Sequence, residues 1–179
     1  MSRKVDTTLP TLAKMKVMLL GDTGVGKTSL LNKYMDSSAV LSKGKPTIGI
    51  DYASKRLDVE NVPTYVHFWD LSGDEIYIEV RNEFYPEANG IILCYDVSNH
   101  DSFDHLNNWI EEGKKYNADW SSMILVGCKS DLNSAVTPDQ AKSFAHKLGV
   151  NSFQTSAKNG SNIEEAFNDI LKTIQKKSG

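Results

Sequence analysis

Cysteine is scarce in this chain. Cys94 and Cys128 are the two among 179 residues. Both sit in apolar runs with no CxxC spacing, which argues against a disulfide framework or a thiolate zinc site and suits a reducing compartment. His67, His100, His105 and His146 are scattered without metal-ligand spacing, so structural or surface roles are expected of them. No run approaches the ~18 apolar residues of a membrane helix. Residues 1–10 lack the apolar centre of a signal peptide. An intracellular setting, cytoplasmic or nuclear, is therefore expected. Neither charge sign dominates: 20 Lys and Arg stand against 23 Asp and Glu, a net −3 with a pI near 5.8. That balance lacks the basic excess of a general nucleic-acid binder. Repeats and low-complexity tracts are missing too.

What is present suits one soluble globular domain, with 40% hydrophobic and 24% charged residues. The expected division is a flexible tail over 1–14 and a folded domain over 15–177. Short continuous apolar runs at 17–20, 91–95 and 123–126 read as buried strands of a parallel sheet. Residues 50–57 and 64–69 read as a strand pair, with Asn61-Val62-Pro63 in or near the turn. Thr137-Pro138-Asp139-Gln140 is a helix start: N-cap threonine, proline in the first turn, glutamine three residues after the cap. Ala141, Phe144, Ala145 and Leu148 then share a face. Ser161 with Glu164 predicts a second capping box, followed by the stripe Ile163, Ala166, Phe167, Ile170 and Ile174. Phe103, Leu106 and Ile110 mark a middle helix. Alternating strands and helices imply an α/β fold with a mostly parallel sheet, helices on both faces and right-handed crossovers.

Gly21-Asp22-Thr23-Gly24-Val25-Gly26-Lys27-Thr28 matches the GxxxxGK[ST] phosphate loop, placed after a strand and before a helix. The chemistry follows from the positions. Gly21 and Gly26 allow backbone conformations closed to other residues. Successive N–H groups from Asp22 to Ser29 then converge on a phosphate at a helix N-terminus. Lys27 brings an ammonium between the β- and γ-phosphates, and Thr28 brings a hydroxyl to Mg²⁺. The loop alone does not separate ATP from GTP.

Later segments resemble the Ras-like small GTPases of Rab type, over nearly all of 15–177. That likeness implies a P-loop fold on a six-stranded sheet. Thr47-Ile48-Gly49-Ile50-Asp51-Tyr52 is similar to switch I, so Thr47 would close on Mg²⁺ and the γ-phosphate. Trp69-Asp70-Leu71-Ser72-Gly73-Asp74 resembles the WDTAGQ element: Asp70 would hold Mg²⁺ through water, and the Gly73 N–H would meet the γ-phosphate. Cys128-Lys129-Ser130-Asp131 resembles NKxD. Asp131 would accept from guanine N1–H and N2–H₂, an edge from which adenine offers no matching donors, and the Lys129 stem would pack over the ring. Ser156-Ala157-Lys158 resembles the loop that reads guanine O6. Residues 47–52, 79–85 and 101–104 narrow the likeness to the RJL family, Rab-like GTPases often joined to a J domain. Tyr52, Trp69 and Phe84 occupy positions similar to the aromatic trio through which Rab proteins meet effectors.

Four departures bear on mechanism. Asp74 replaces the glutamine that orients the attacking water. Either it repels the γ-phosphate or it sits exposed in a loop, and both predict slow hydrolysis. Cys128 replaces an asparagine that would bond guanine N7, and a thiol is a weak donor. Val40 stands near a position that often carries an aromatic against the base, a loss worth ~1 kcal/mol. No cysteine follows Lys176-Lys177-Ser178-Gly179 for prenylation, and there is no His-Pro-Asp tripeptide. The expectation is therefore a monomeric guanine-nucleotide switch with Mg²⁺, no lipid anchor in this chain, and catalytic roles for Lys27, Thr47, Gly73 and Asp74. The alternative is a nucleotide-locked scaffold. An ATPase or kinase is disfavoured by Lys129-Ser130-Asp131 and Ser156-Ala157-Lys158.

Overall fold

The computed structural model describes residues 12–41 and 45–178. The expected tail falls mostly outside them, but its last two residues belong to strand β1, Ala13–Leu20. The chain continues through α1 (Lys27–Met35), β2 (Ile50–Val59), β3 (Val62–Leu71), α2 (Ile78–Asn82), β4 (Gly90–Asp96), α3 (His100–Asp104), α4 (Leu106–Lys115), β5 (Met123–Cys128), α5 (Pro138–Leu148), β6 (Asn151–Gln154) and α6 (Ile163–Ser178).

The strands form one six-stranded sheet in the order β2-β3-β1-β4-β5-β6. β2 runs antiparallel to β3, and every other pairing is parallel. The continuous apolar runs sit where helices cover both faces, and all seven residues of β4 and all six of β5 are buried. Leu30, Leu31 and Tyr34 of α1 meet the α6 stripe on one face, with Tyr34 stacked on Phe167 at 3.8 Å between centroids. Leu106, Trp109 and Ile110 of α4 join Ala141 and Ala145 of α5 on the other. Each such side chain contributes about 1.5–3 kcal/mol of burial. Parallel order brings the carboxyl ends of β1, β4 and β5 to one rim, where such sheets bind ligands.

Local starts and stops follow the sequence in part. The Thr137 capping box forms, with Gln140 N–H donating to Thr137 Oγ1 at 3.2 Å and Thr137 N–H to Gln140 Oε1 at 2.8 Å. The expected box at Ser161 does not: its hydroxyl donates to Asn159 Oδ1 at 2.6 Å, and left-handed Asn162 (φ 56°) separates it from α6. The β2–β3 turn is Glu60-Asn61, both left-handed at φ 49° and 65°, the pair a two-residue hairpin demands. Val62 and Pro63 consequently lie in β3, and Pro63 is tolerated because pairing with β1 starts at Thr64. The middle helix divides into α3 and α4 at His105.

Candidate functional site

The loop from β1 to α1 folds as its glycines require. Gly21 has φ 139°, and a Cβ there would lie 2.2 Å from the Cys94 carbonyl oxygen. Gly73, arriving from β3, approaches the loop so closely that a Cβ would lie 2.3 Å from the Thr23 nitrogen. Between them opens a cavity of about 320 Å³ lined by Thr23, Gly24, Gly26, Lys27, Thr28 and Ser29, with Thr47, Ser72 and Gly73 opposite. The α1 N-terminus adds the partial positive charge that suits an anion. Lys27 is buried and donates to the Gly21 and Asp22 carbonyls at 2.7 and 2.9 Å. Burial lowers its pKa, opposed by the Asp70 carboxylate. An anion in the cavity would offset the part of that cost that remains.

One corner of the cavity gathers oxygens. Thr28 Oγ1 and Thr47 Oγ1 are 2.8 Å apart, and the Thr28 hydroxyl donates to Asp70 Oδ2. Asp70 is fully buried, and its Oδ1 has no hydrogen-bond partner among the described residues. Burial raises the Asp70 pKa against the Thr28 bond and the Lys27 charge. Two hydroxyls and one carboxylate, whose buried Oδ1 is the orphaned oxygen, fit a hard divalent cation that keeps part of its water shell.

A second cavity, about 390 Å³, adjoins the first through Gly26, Ser29 and Lys129. Its walls include Leu30, Leu41, Leu132 and Ala157, an apolar slot for a planar ring. Asp131 stands at its edge. The Ser156 hydroxyl donates to the carboxylate at 2.6 Å and is the main reason its pKa is lowered, so the group stays an acceptor. Lys129, left-handed at φ 62°, spans from Gly24 O (2.7 Å) to Asp96 Oδ2 (2.5 Å), tying the phosphate loop to the β4 end.

The structure brings together Thr23, Gly24, Gly26, Lys27, Thr28, Ser29, Thr47, Gly73, Cys128, Lys129, Asp131, Ala157 and Lys158 around the two cavities. Others stand apart. Val25 sends its side chain into the core. Ser156 is buried and acts on Asp131 rather than lining a wall. Asp22 turns outward, accepting from Trp109 Nε1 at 2.7 Å and facing His105 Nδ1 at 2.7 Å. Asp74 is exposed, and its carboxylate caps the 3₁₀ turn Glu75–Tyr77 by accepting the Ile76 N–H at 3.1 Å. Leu41, not Val40, faces the base-sized cavity, while Val40 is 90% exposed. Lys45, Leu132 and Thr155 also line the cavities and belong to none of the quoted motifs, while Ser72 lines the first as part of the Trp69–Asp74 element. The one signal for Lys45 is its place two residues before Thr47.

The Asp22 bond raises the His105 pKa above 6.5. Its contribution is thus fully present below about pH 6.5 and lost as pH rises through the raised value. With His105 half exposed, the effect is about 0.5 kcal/mol. Melting curves should show that His105→Asn removes a shallow decline of stability on the alkaline side of pH 6.5. An unchanged profile would rule the bond out as a contributor.

Tyr52 and Trp69 are cross-strand partners, and Trp69 meets Phe84 edge-on at 4.6 Å. Tyr52 is 55% exposed, whereas Trp69 and Phe84 are half-buried. Ile48 and Ile76, four residues before Tyr52 and two after Asp74, are exposed by 81% and 74%.

A phosphate loop at the carboxyl rim of a mostly parallel sheet defines the P-loop α/β class. Within it, the Ras family model matches residues 16–176, and the chain belongs to that family. Its relatives include GTP-binding protein YPTM2 of Zea mays, 36% identical over 162 residues, 89% of this chain and 79% of that one. Ras-related protein RABD2a of Arabidopsis thaliana is 36% identical over 164 residues, 90% and 80% of the two chains. Ras-related protein Rab-26 of Rattus norvegicus is 35% identical over 165 residues, 91% of this chain and 64% of that protein. The chain is thus a Rab-like small GTPase by sequence. Among the described residues, no helix is long and apolar enough to cross a membrane.

Proposed function

We propose that the chain binds GDP and GTP with Mg²⁺, exchanges protein partners according to the γ-phosphate, and hydrolyses GTP slowly. One observation carries the reading: a cationic cavity at the phosphate loop opens directly into an apolar slot edged by a carboxylate that is held ionised. Lys27 and the loop amides bind and orient the phosphates. Asp131 accepts two donors from guanine, whose adenine counterpart has none to offer there. Thr28, Thr47 and Asp70 would hold the cation, which when bound neutralises phosphate charge. Gly73, pressed on the phosphate loop, supplies an N–H for the γ-phosphate. Tyr52, Trp69 and Phe84, between the two segments that contact the γ-phosphate, are the proposed meeting point for effectors and regulators of a monomeric protein. Within the family, the likeness of residues 79–85 supports a place nearest the RJL group.

Asp74 supports slow turnover. Its side chain is one methylene shorter than glutamine's and engaged as a cap. That engagement also favours a second reading, in which the protein holds its nucleotide as a scaffold. Single-turnover hydrolysis separates the two. The wild type should hydrolyse bound GTP slowly, and Asp74→Gln should raise the rate about tenfold, the worth of one water-orienting hydrogen bond. A wild type as fast as the variant would show that Asp74 does not limit the reaction. Absence of hydrolysis in both would favour the scaffold.

A further inference from the structure

Arg81, on the five-residue α2, is only 2% exposed. A buried guanidinium must place its N–H groups, since leaving them unpaired is costly. Its Nε and Nη2 donate to Glu112 Oε1 and Oε2 at 2.6 and 2.9 Å, a two-pronged grip on α4. Fully buried Tyr85 adds a third donor to Glu112 at 2.7 Å. The remaining arm, Nη1, donates to Asp74 O at 2.7 Å and Ser72 O at 3.2 Å. Those carbonyls flank Gly73.

The other end of the contact also reaches α4. The guanidinium lies 4.8 Å over the Trp109 ring, and the Trp109 N–H holds Asp22 of the phosphate loop at 2.7 Å. Trp109 and Glu112, one helical turn apart, therefore fasten the two loops that Gly73 brings into contact.

We infer that Arg81 is a positioning residue for the γ-phosphate: clamped by Glu112, it fixes the 72–74 backbone so that Gly73 stays against the phosphate loop whichever nucleotide is bound. This rests on the nucleotide reading above. It assigns the γ-phosphate-dependent movement to the Thr47 side of the site, with residues 72–74 already in place. GDP, which makes no demand on Gly73, should not sense the clamp. GTP should.

The test uses the full chain and titrates Mg²⁺-GDP and a Mg²⁺-bound, non-hydrolysable GTP analogue by calorimetry. Glu112→Gln keeps the volume of the carboxylate but loses its two-pronged grip. Arg81→Lys, the milder second variant, keeps the charge but not the fork. In either, affinity for the analogue should fall about tenfold and affinity for GDP less than about twofold. Equal loss for both nucleotides, or no loss for either, overturns the proposal and leaves the nucleotide reading intact. Failure of the wild type to bind either nucleotide overturns that reading, and the proposal with it. Wild-type amide exchange adds an arm that needs no variant. Residues 72–77 should be equally protected with GDP and with the analogue. Protection that appears only with the analogue refutes a pre-set clamp.

Discussion

Asp131→Ala should weaken GDP binding by about 10²–10⁴-fold, because two hydrogen bonds to a charged acceptor are worth roughly 1.5–3 kcal/mol each. Affinity for ATP, which does not use this carboxylate, should barely change, so the preference for guanine should collapse along with the affinity. The structure prepares Asp131 for this role. Ser156 bonds one oxygen and keeps the group ionised, and Lys158 Nζ lies 3.7 Å from the other. Competitive displacement of a fluorescent GDP by unlabelled nucleotides measures both quantities. A variant that still prefers GDP to ADP by the wild-type ratio would place base selection elsewhere in the slot.

Lys27→Met should remove the binding of both GDP and GTP, by about 10²–10³-fold, through loss of an ammonium facing phosphate charge. The fold should survive. Methionine nearly conserves volume, and removing a buried charge whose pKa is lowered by burial offsets the loss of the bonds to the Gly21 and Asp22 carbonyls. Melting experiments separate the effects. Ligand at about 100 times its Kd stabilises the wild type by about 2.7 kcal/mol, or roughly 5–10 °C for a domain of this size. The same concentration should stabilise the variant by less than about 0.5 kcal/mol. A variant with a full ligand-induced shift would show that Lys27 serves the loop and not the phosphates.

The fold was legible because its signals are local. Continuous apolar runs marked β1, β4 and β5, and the Thr137 box and the 3.6-residue stripe of α6 marked their helices. Gly21 through Thr28 were legible for the same reason, since a phosphate loop is contiguous. What failed was local chemistry with competing solutions. Ser161 had Asn159 within reach as well as the first turn of α6. Leu41 and Val40 differ by a single step along an irregular loop.

The clamp was out of reach for another reason. Arg81 and Glu112 are 31 positions apart, and Asp22 and Trp109 are 87 apart. A lone arginine in a charged segment such as Glu79-Val80-Arg81-Asn82-Glu83 reads as solvated surface. Only the packing of α2 against α4 shows it buried. Thr28 and Asp70 are likewise 42 positions apart, and only the family resemblance, not periodicity, brings them together in the sequence.

Identifying the nucleotide released when the purified protein is denatured tests the central claim most directly. Separation of the supernatant by ion-pair chromatography should yield guanine nucleotide near one equivalent, with GTP outweighing GDP if hydrolysis is as slow as Asp74 implies. Recovery of adenine nucleotide in its place would contradict the account.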